Sequence, residues 1–156
     1  MKKVNKKIGF TLIEVLIVIG ILAILAGIVL VAVNPSRQFA QARDSQRTSN
    51  VNSILNALGQ NMAENKGLFL CDGVEKEIPI VEKLIKSPEG SDGLDLYDCL
   101  IPRYIAEIVS DPTKGSFVSS EEYNTAYKII KTLDNRITVS APEVEIDENR
   151  PISVTR

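Results

Sequence analysis

Glu14 is the only charge between Phe10 and Val33. A carboxylate inside an apolar helix costs about 2.5–3.5 kcal/mol to place in a bilayer, and such residues ordinarily serve pairing or transport. Cys71 and Cys99 are the two cysteines, and an even count in an exported domain reads as a disulfide. The alternative is a pair of buried thiols in a reducing compartment. Glu89, Asp92, Asp95 and Asp98 crowd a glycine-containing stretch, where flexible oxygen donors suit calcium. Their spacing is not that of an EF-hand, and acids also simply keep a loop solvated. The chain has no histidine, which removes imidazole metal sites and the commonest general base. Neither a glycine-rich phosphate loop nor a nucleophile motif is present. No catalytic residue is nominated, and calcium is the sole cofactor candidate.

The elements around these residues are of two kinds. Val15 to Val33 is an uncharged run long enough for about 28 Å of helix, close to the hydrocarbon thickness of a bilayer. It is too long for the apolar part of a secretory signal. Gly20 and Gly27 interrupt it, with Ala23, Ala26 and Ala32 nearby, and small residues let helices approach closely in lipid. Lys2, Lys3, Lys6 and Lys7 precede the run, while Arg37, Arg43 and Arg47 follow it, so charge orients the span only weakly, N-terminus inside. Asn34-Pro35-Ser36 then predicts a kink or short break.

Helical spacing returns over Gln38 to Met62, with Val51, Ile54, Leu55, Leu58 and Met62 on one stripe. Asn65-Lys66-Gly67 closes it. Arg43 and Arg47, one turn apart, suit phospholipid head groups or acidic neighbours in an assembly; a solvated face with a local Arg47–Asp44 pair is the other reading. Beyond residue 67, short apolar runs alternate with turns. Ile105, Ile108 and Val109 fit a short helix opened by Pro102. Ala126–Leu133 and Arg136–Ala141, joined at Asp134-Asn135, read as a β-hairpin, and Val144/Ile146 and Ile152/Val154 suggest one or two more strands. The expected class is α+β: a long helix laid on a small antiparallel sheet.

The junction Lys6-Lys7-Ile8-Gly9-Phe10-Thr11-Leu12-Ile13-Glu14 is the most specific feature. It resembles the prepilin leader of type IV pilins and type II secretion pseudopilins. The loose pattern Asp111-Pro112 with Gly115 and later tyrosines is also similar to pilin heads. The resemblance implies cleavage after Gly9 on the cytoplasmic face, N-methylation of Phe10, and pairing of Glu14 with the N-terminal amine of an adjacent subunit. That amine is mostly cationic at neutral pH. Removing four lysines from 18 basic residues leaves 14 against 20 acidic, a balance that argues against nucleic acid as a partner.

The implied organisation is a leader at 1–9, a transmembrane and assembly helix at 10–33, an amphipathic stalk at 34–66 and a head at 67–156. The implied protein is a single-pass membrane precursor with exported head that becomes part of an extracellular filament. Its partners would be copies of itself and related pilins, a prepilin peptidase and methyltransferase, an assembly platform with its ATPase, and membrane lipids before assembly. A pilus subunit is favoured, with a secretion pseudopilin as alternative. A membrane-tethered enzyme or binding domain with an uncleaved anchor is the rival from another class.

Overall fold

The computed structural model describes residues 9–32, 34–88, 90, 92–147 and 150–156. The leader residues 1–8, Val33 and Glu89 fall outside them. The chain divides into two compact units, Met1–Gln38 and Phe39–Arg156.

In the first unit, helix α1 runs Leu12–Ala32. Helix α2 begins at Pro35, so the expected interruption at Asn34-Pro35-Ser36 separates two helices. Asn34 caps the second start: its Oδ1 accepts from Ser36 Oγ at 2.7 Å and from Arg37 N–H at 3.3 Å. Proline then occupies the first helical position, where its missing N–H costs nothing.

The second unit is built on α2, Pro35–Glu64. Gly67 N–H returns to the Met62 carbonyl at 2.8 Å, and Gly67 takes φ +93°, ending the helix at the expected Asn65-Lys66-Gly67. The stripe Val51, Ile54, Leu55 and Leu58 is buried, with Met62 half-buried beside it. It shares one core with Ile85, Tyr127, Ile129, Val139 and Ala141 of the sheet. Each such side chain contributes about 1.5–3 kcal/mol on burial.

After α2 come β1 (Leu70–Cys71), β2 (Val74–Glu75), β3 (Lys83–Ser87), β4 (Gly93–Leu94), helix α3 (Tyr97–Leu100), β5 (Ser116–Ser119), β6 (Glu122–Lys131), β7 (Ile137–Ala141) and β8 (Ile152–Thr155). β1 and β2 form a ribbon turned by Asp72-Gly73, both at positive φ. The main sheet has the order β4-β3-β6-β7-β8, with β5 paired to the start of β6. The fold is α+β as expected, with one departure: β3 and β4 run parallel at the edge.

The β6–β7 hairpin pairs Lys131 with Ile137 and Lys128 with Ser140. Its turn closes through Thr132 N–H to the Arg136 carbonyl at 2.8 Å, with Asn135 at φ +64°. β6 begins earlier than its alternation indicates because the strand bulges opposite Ile85. Ala126 takes φ +60°, and Asn124 Oδ1 and Thr125 Oγ1 accept the N–H groups of Ala126 and Tyr127 at 2.9 and 3.1 Å.

Two expectations need correction. The short helix lies at Tyr97–Leu100, ahead of Pro102, and Ile105, Ile108 and Val109 pack on the core from irregular backbone. Pro102 stands where a proline ends a helical turn, and the chain beyond it is drawn into the Asn50 and Thr125 contacts described below. Val144 and Ile146 form no strand. Their segment is held by α2, with Asp44 Oδ2 accepting Ile146 N–H at 3.0 Å.

Cys71 of β1 is disulfide-bonded to Cys99 of α3, as expected for an exported domain. Closing a span of 28 residues restricts the unfolded chain by about 3.6 kcal/mol in the loop-entropy treatment. Replacing both cysteines by serine should lower unfolding stability by about 3–4 kcal/mol. Denaturant titration of the full chain in detergent measures this, and a loss below about 1 kcal/mol would show that the bridge is not a staple.

Candidate functional site

α1 follows from its composition: Leu, Ile, Val and Ala with glycine at 20 and 27 propagate a helix, and no polar face breaks it. A helix apolar all round must be buried in protein or lie in lipid. Every large apolar side chain from Phe10 to Val31 is at least 52% exposed. Leu12–Val31 is long and apolar enough to cross a membrane.

The start of this helix carries the one acid. Thr11 N–H and Thr11 Oγ1 both donate to Glu14 Oε2 at 2.8 Å, and Glu14 N–H donates to Thr11 Oγ1 at 3.3 Å. This is a reciprocal capping box, signalled by Thr-x-x-Glu before an apolar run and missed in the sequence reading above. It satisfies helix N–H groups that lipid cannot. Both acceptor bonds fall on Oε2, so Oε1 keeps its capacity for a further donor. Gly9 and Phe10 precede the helix in irregular, exposed backbone.

Residues 4–30 match the family described as the prokaryotic N-terminal methylation motif. That N-terminal motif is the kind a type IV pilin-like prepilin carries. No curated protein and no solved structure matches the chain. The prepilin motif points to a structural subunit that meets a prepilin peptidase and an assembly apparatus, rather than to an enzyme.

In the second unit, the polar site centres on Arg47, whose side chain is wholly buried. Its Nε and Nη2 donate to Asp111 Oδ2 and Oδ1 at 2.7 and 3.2 Å. Nη1 donates to Asp44 Oδ1 and Glu145 Oε1, both at 2.8 Å, and Nη2 to Thr113 Oγ1 at 2.9 Å. Arg43 Nε donates to Glu145 Oε1 at 2.7 Å, with a second bond from its Nη2 to Glu145 Oε2. The arginine pair thus meets acids of its own chain, including the Asp44 anticipated.

Local folding sets up each acid. Asp111 Oδ1 also accepts Thr113 and Lys114 N–H at 2.8 and 3.0 Å in a tight turn, and Gly115 N–H closes that turn on the Asp111 carbonyl at 3.0 Å. A Cβ on Gly115 would sit 2.7 Å from Asp111 backbone atoms, so only glycine fits. The bulge presents the Thr125 carbonyl to Asp111 N–H at 2.9 Å, and Asn50 Nδ2 donates to the Ser110 carbonyl and to Tyr127 Oη, both at 2.9 Å.

Burial alone would raise the Asp111 carboxyl, yet the Arg47 guanidinium and the two turn N–H groups bring it down to about 2. Hydrogen bonds from Arg43 and then Arg47 hold Glu145 at about 2. Burial works against the Arg47 charge, and the bonds to Asp111, Glu145 and Asp44 outweigh it, so its pKa is raised.

Two of the four acids considered for calcium have other partners. Asp92 pairs with Lys86 at 2.8 Å. Asp95 accepts from Tyr123 Oη at 2.8 Å and from Tyr97 N–H at 2.9 Å. Asp98 is exposed on α3, and Glu89 lies outside the described residues. Among the described residues no group of three or more acidic, histidine or cysteine side chains is placed to hold a metal.

Proposed function

We propose that this chain is a structural subunit of a pilus-like filament. It is inserted as a prepilin, cut after Gly9, N-methylated on Phe10, and polymerised through Leu12–Ala32. The observation that carries this reading is α1 itself, a 21-residue helix with no partner for its apolar surface, headed by one capped carboxylate. Lipid covers such a helix in the precursor; copies of the same helix cover it in a filament.

Peptide cleavage ahead of Phe10 creates a cation a few residues from Glu14 on each copy. An apolar bundle discriminates strongly against either charge alone, so each incoming helix is set in axial register by bringing its amine to a neighbour's Glu14. Oε1 is the free acceptor for that contact. The head carries no part of this chemistry and covers the bundle.

The test is shearing of cells that express the chain with its assembly apparatus, followed by immunogold microscopy. Thin filaments labelled along their length are expected. Chain confined to the membrane fraction under conditions that assemble related pilins would contradict the proposal.

A further inference from the structure

Gly59 lies in the interior of α2, where glycine destabilises a helix relative to alanine. Nothing inside the chain requires it: a Cβ built there meets no atom within 4 Å. Gly59 instead opens onto a groove of about 500 Å³ between α2 and the β6–β7 turn, lined by Gln60, Met62, Ala63, Ile137 and Arg156 among others. Arg136, also on the rim, is already paired with Asp134 at 2.6 Å. Among the described residues the Arg156 guanidinium donates to side-chain amide oxygens, those of Asn56 and, at 3.4 Å, Asn52, and has no carboxylate partner.

At the other end of β6, the β5–β6 hairpin offers complementary chemistry. Val118 is 71% exposed, Phe117 is 52% exposed with its ring beside Tyr97 and Tyr123, Ser120 and Glu121 form the turn, and Glu121 and Glu122 have no cationic partner among the described residues. β5 is also an edge strand, exposed along its whole length. We propose that this hairpin, Phe117–Glu122, docks into the Gly59 groove of a second copy, with Val118 on the groove floor and its carboxylates facing Arg156.

The topology makes the contact heterologous. β6 has ten residues, so hairpin and groove stand at opposite ends of a strand about 30 Å long. One head cannot satisfy itself; antiparallel heads would close as a two-fold pair, whereas heads that all point one way, as the filament reading requires, use the contact head to tail. Repetition generates an open array, the symmetry a filament has. Charge sets the direction of approach and the packing at Gly59 sets the register. This rests on the filament reading and names the head surface that joins neighbours.

The test uses the full chain carrying Gly59→Cys and Ser120→Cys, both at exposed positions, assembled with its own apparatus. Oxidised filaments should give a ladder of covalent dimers, trimers and higher species on non-reducing gels, absent from either single variant. Gly59→Leu, whose Cβ meets no atom within 4 Å and whose side chain occupies the groove, should reduce assembled chain at least tenfold while leaving the melting of the detergent-held monomer unchanged. Wild-type filaments with no ladder from the double variant, or full assembly by Gly59→Leu, would overturn the contact alone. Absence of filaments from the wild-type chain would overturn the filament reading and this contact with it.

Discussion

Glu14→Ala should insert into the membrane at least as well as the wild type and yet assemble about a hundredfold less. The two halves have one cause. Removing a carboxylate from an apolar helix relieves a cost of about 2.5–3.5 kcal/mol during insertion. In the filament, the same change strands the amine of the neighbouring Phe10 among apolar side chains, a penalty of similar size. Every 1.4 kcal/mol is a factor of ten, so about 3 kcal/mol per contact is about a hundredfold.

The capping box supplies the control that separates charge from geometry. Glu14→Gln can still accept Thr11 N–H, as glutamine does at this cap position, but carries no charge. Quantifying sheared filaments against membrane-bound chain should show Gln failing nearly as badly as Ala. If Gln assembles like the wild type, Glu14 acts only as a helix cap and the pairing mechanism is wrong.

Arg47→Ala should be the most destabilising single substitution in the head, costing about 3–5 kcal/mol. It leaves Asp111 buried with its two turn N–H groups and without its counter-charge. It also removes one tie on the 143–147 segment, the guanidinium that joins Glu145 to Asp44 of α2. Arg43→Ala is the comparison: that side chain is 36% exposed, so its loss should cost about 1 kcal/mol or less. Urea titration of the detergent-held chain distinguishes the two, and equal effects would remove Arg47 from the centre of the head.

The network also fixes an acid limit. Asp111 and Glu145 are held at about 2, below ordinary carboxyl values near 4. Carboxyls depressed in the folded state stabilise it fully above their unfolded pKa, and that stability is lost as pH falls through the folded value. Melting temperature should therefore be steady down to about pH 4 and drop steeply between about 4 and 2. The drop should be much reduced in Arg47→Ala.

Much of the fold could be read from spacing alone. The stripe from Val51 to Leu58 has helical period and one buried face, and the alternation through Ile137, Val139 and Ala141 marks a strand with one face inward. Both patterns are local and repeat, so a single chain reveals them. The junction at Gly9 and Glu14 was legible for a different reason: a charge in lipid is expensive enough to be conspicuous.

Arg47 was not legible as a buried residue. It sits in a polar stretch of helix, and its deciding partner, Asp111, lies 64 residues away. Nothing within a helical turn distinguishes it from a solvated arginine. β5 was missed because its four residues are all exposed and two are serine, so no alternation marks it. The Val144–Ile146 segment has strand-like spacing, but its N–H groups go to Asp44, a side-chain acceptor that competes with a ladder. The Thr11–Glu14 box was present in the sequence as Thr-x-x-Glu, and was passed over because the same glutamate had another role to explain.

Intact-mass analysis of the chain recovered from sheared filaments is the most direct measurement. A mass beginning at Phe10, heavier by one methyl group and lighter by the two hydrogens of the Cys71–Cys99 bridge, is predicted. Filament-borne chain that still begins at Met1 would contradict the account, because no α-amine would then exist at Phe10 for Glu14 to meet.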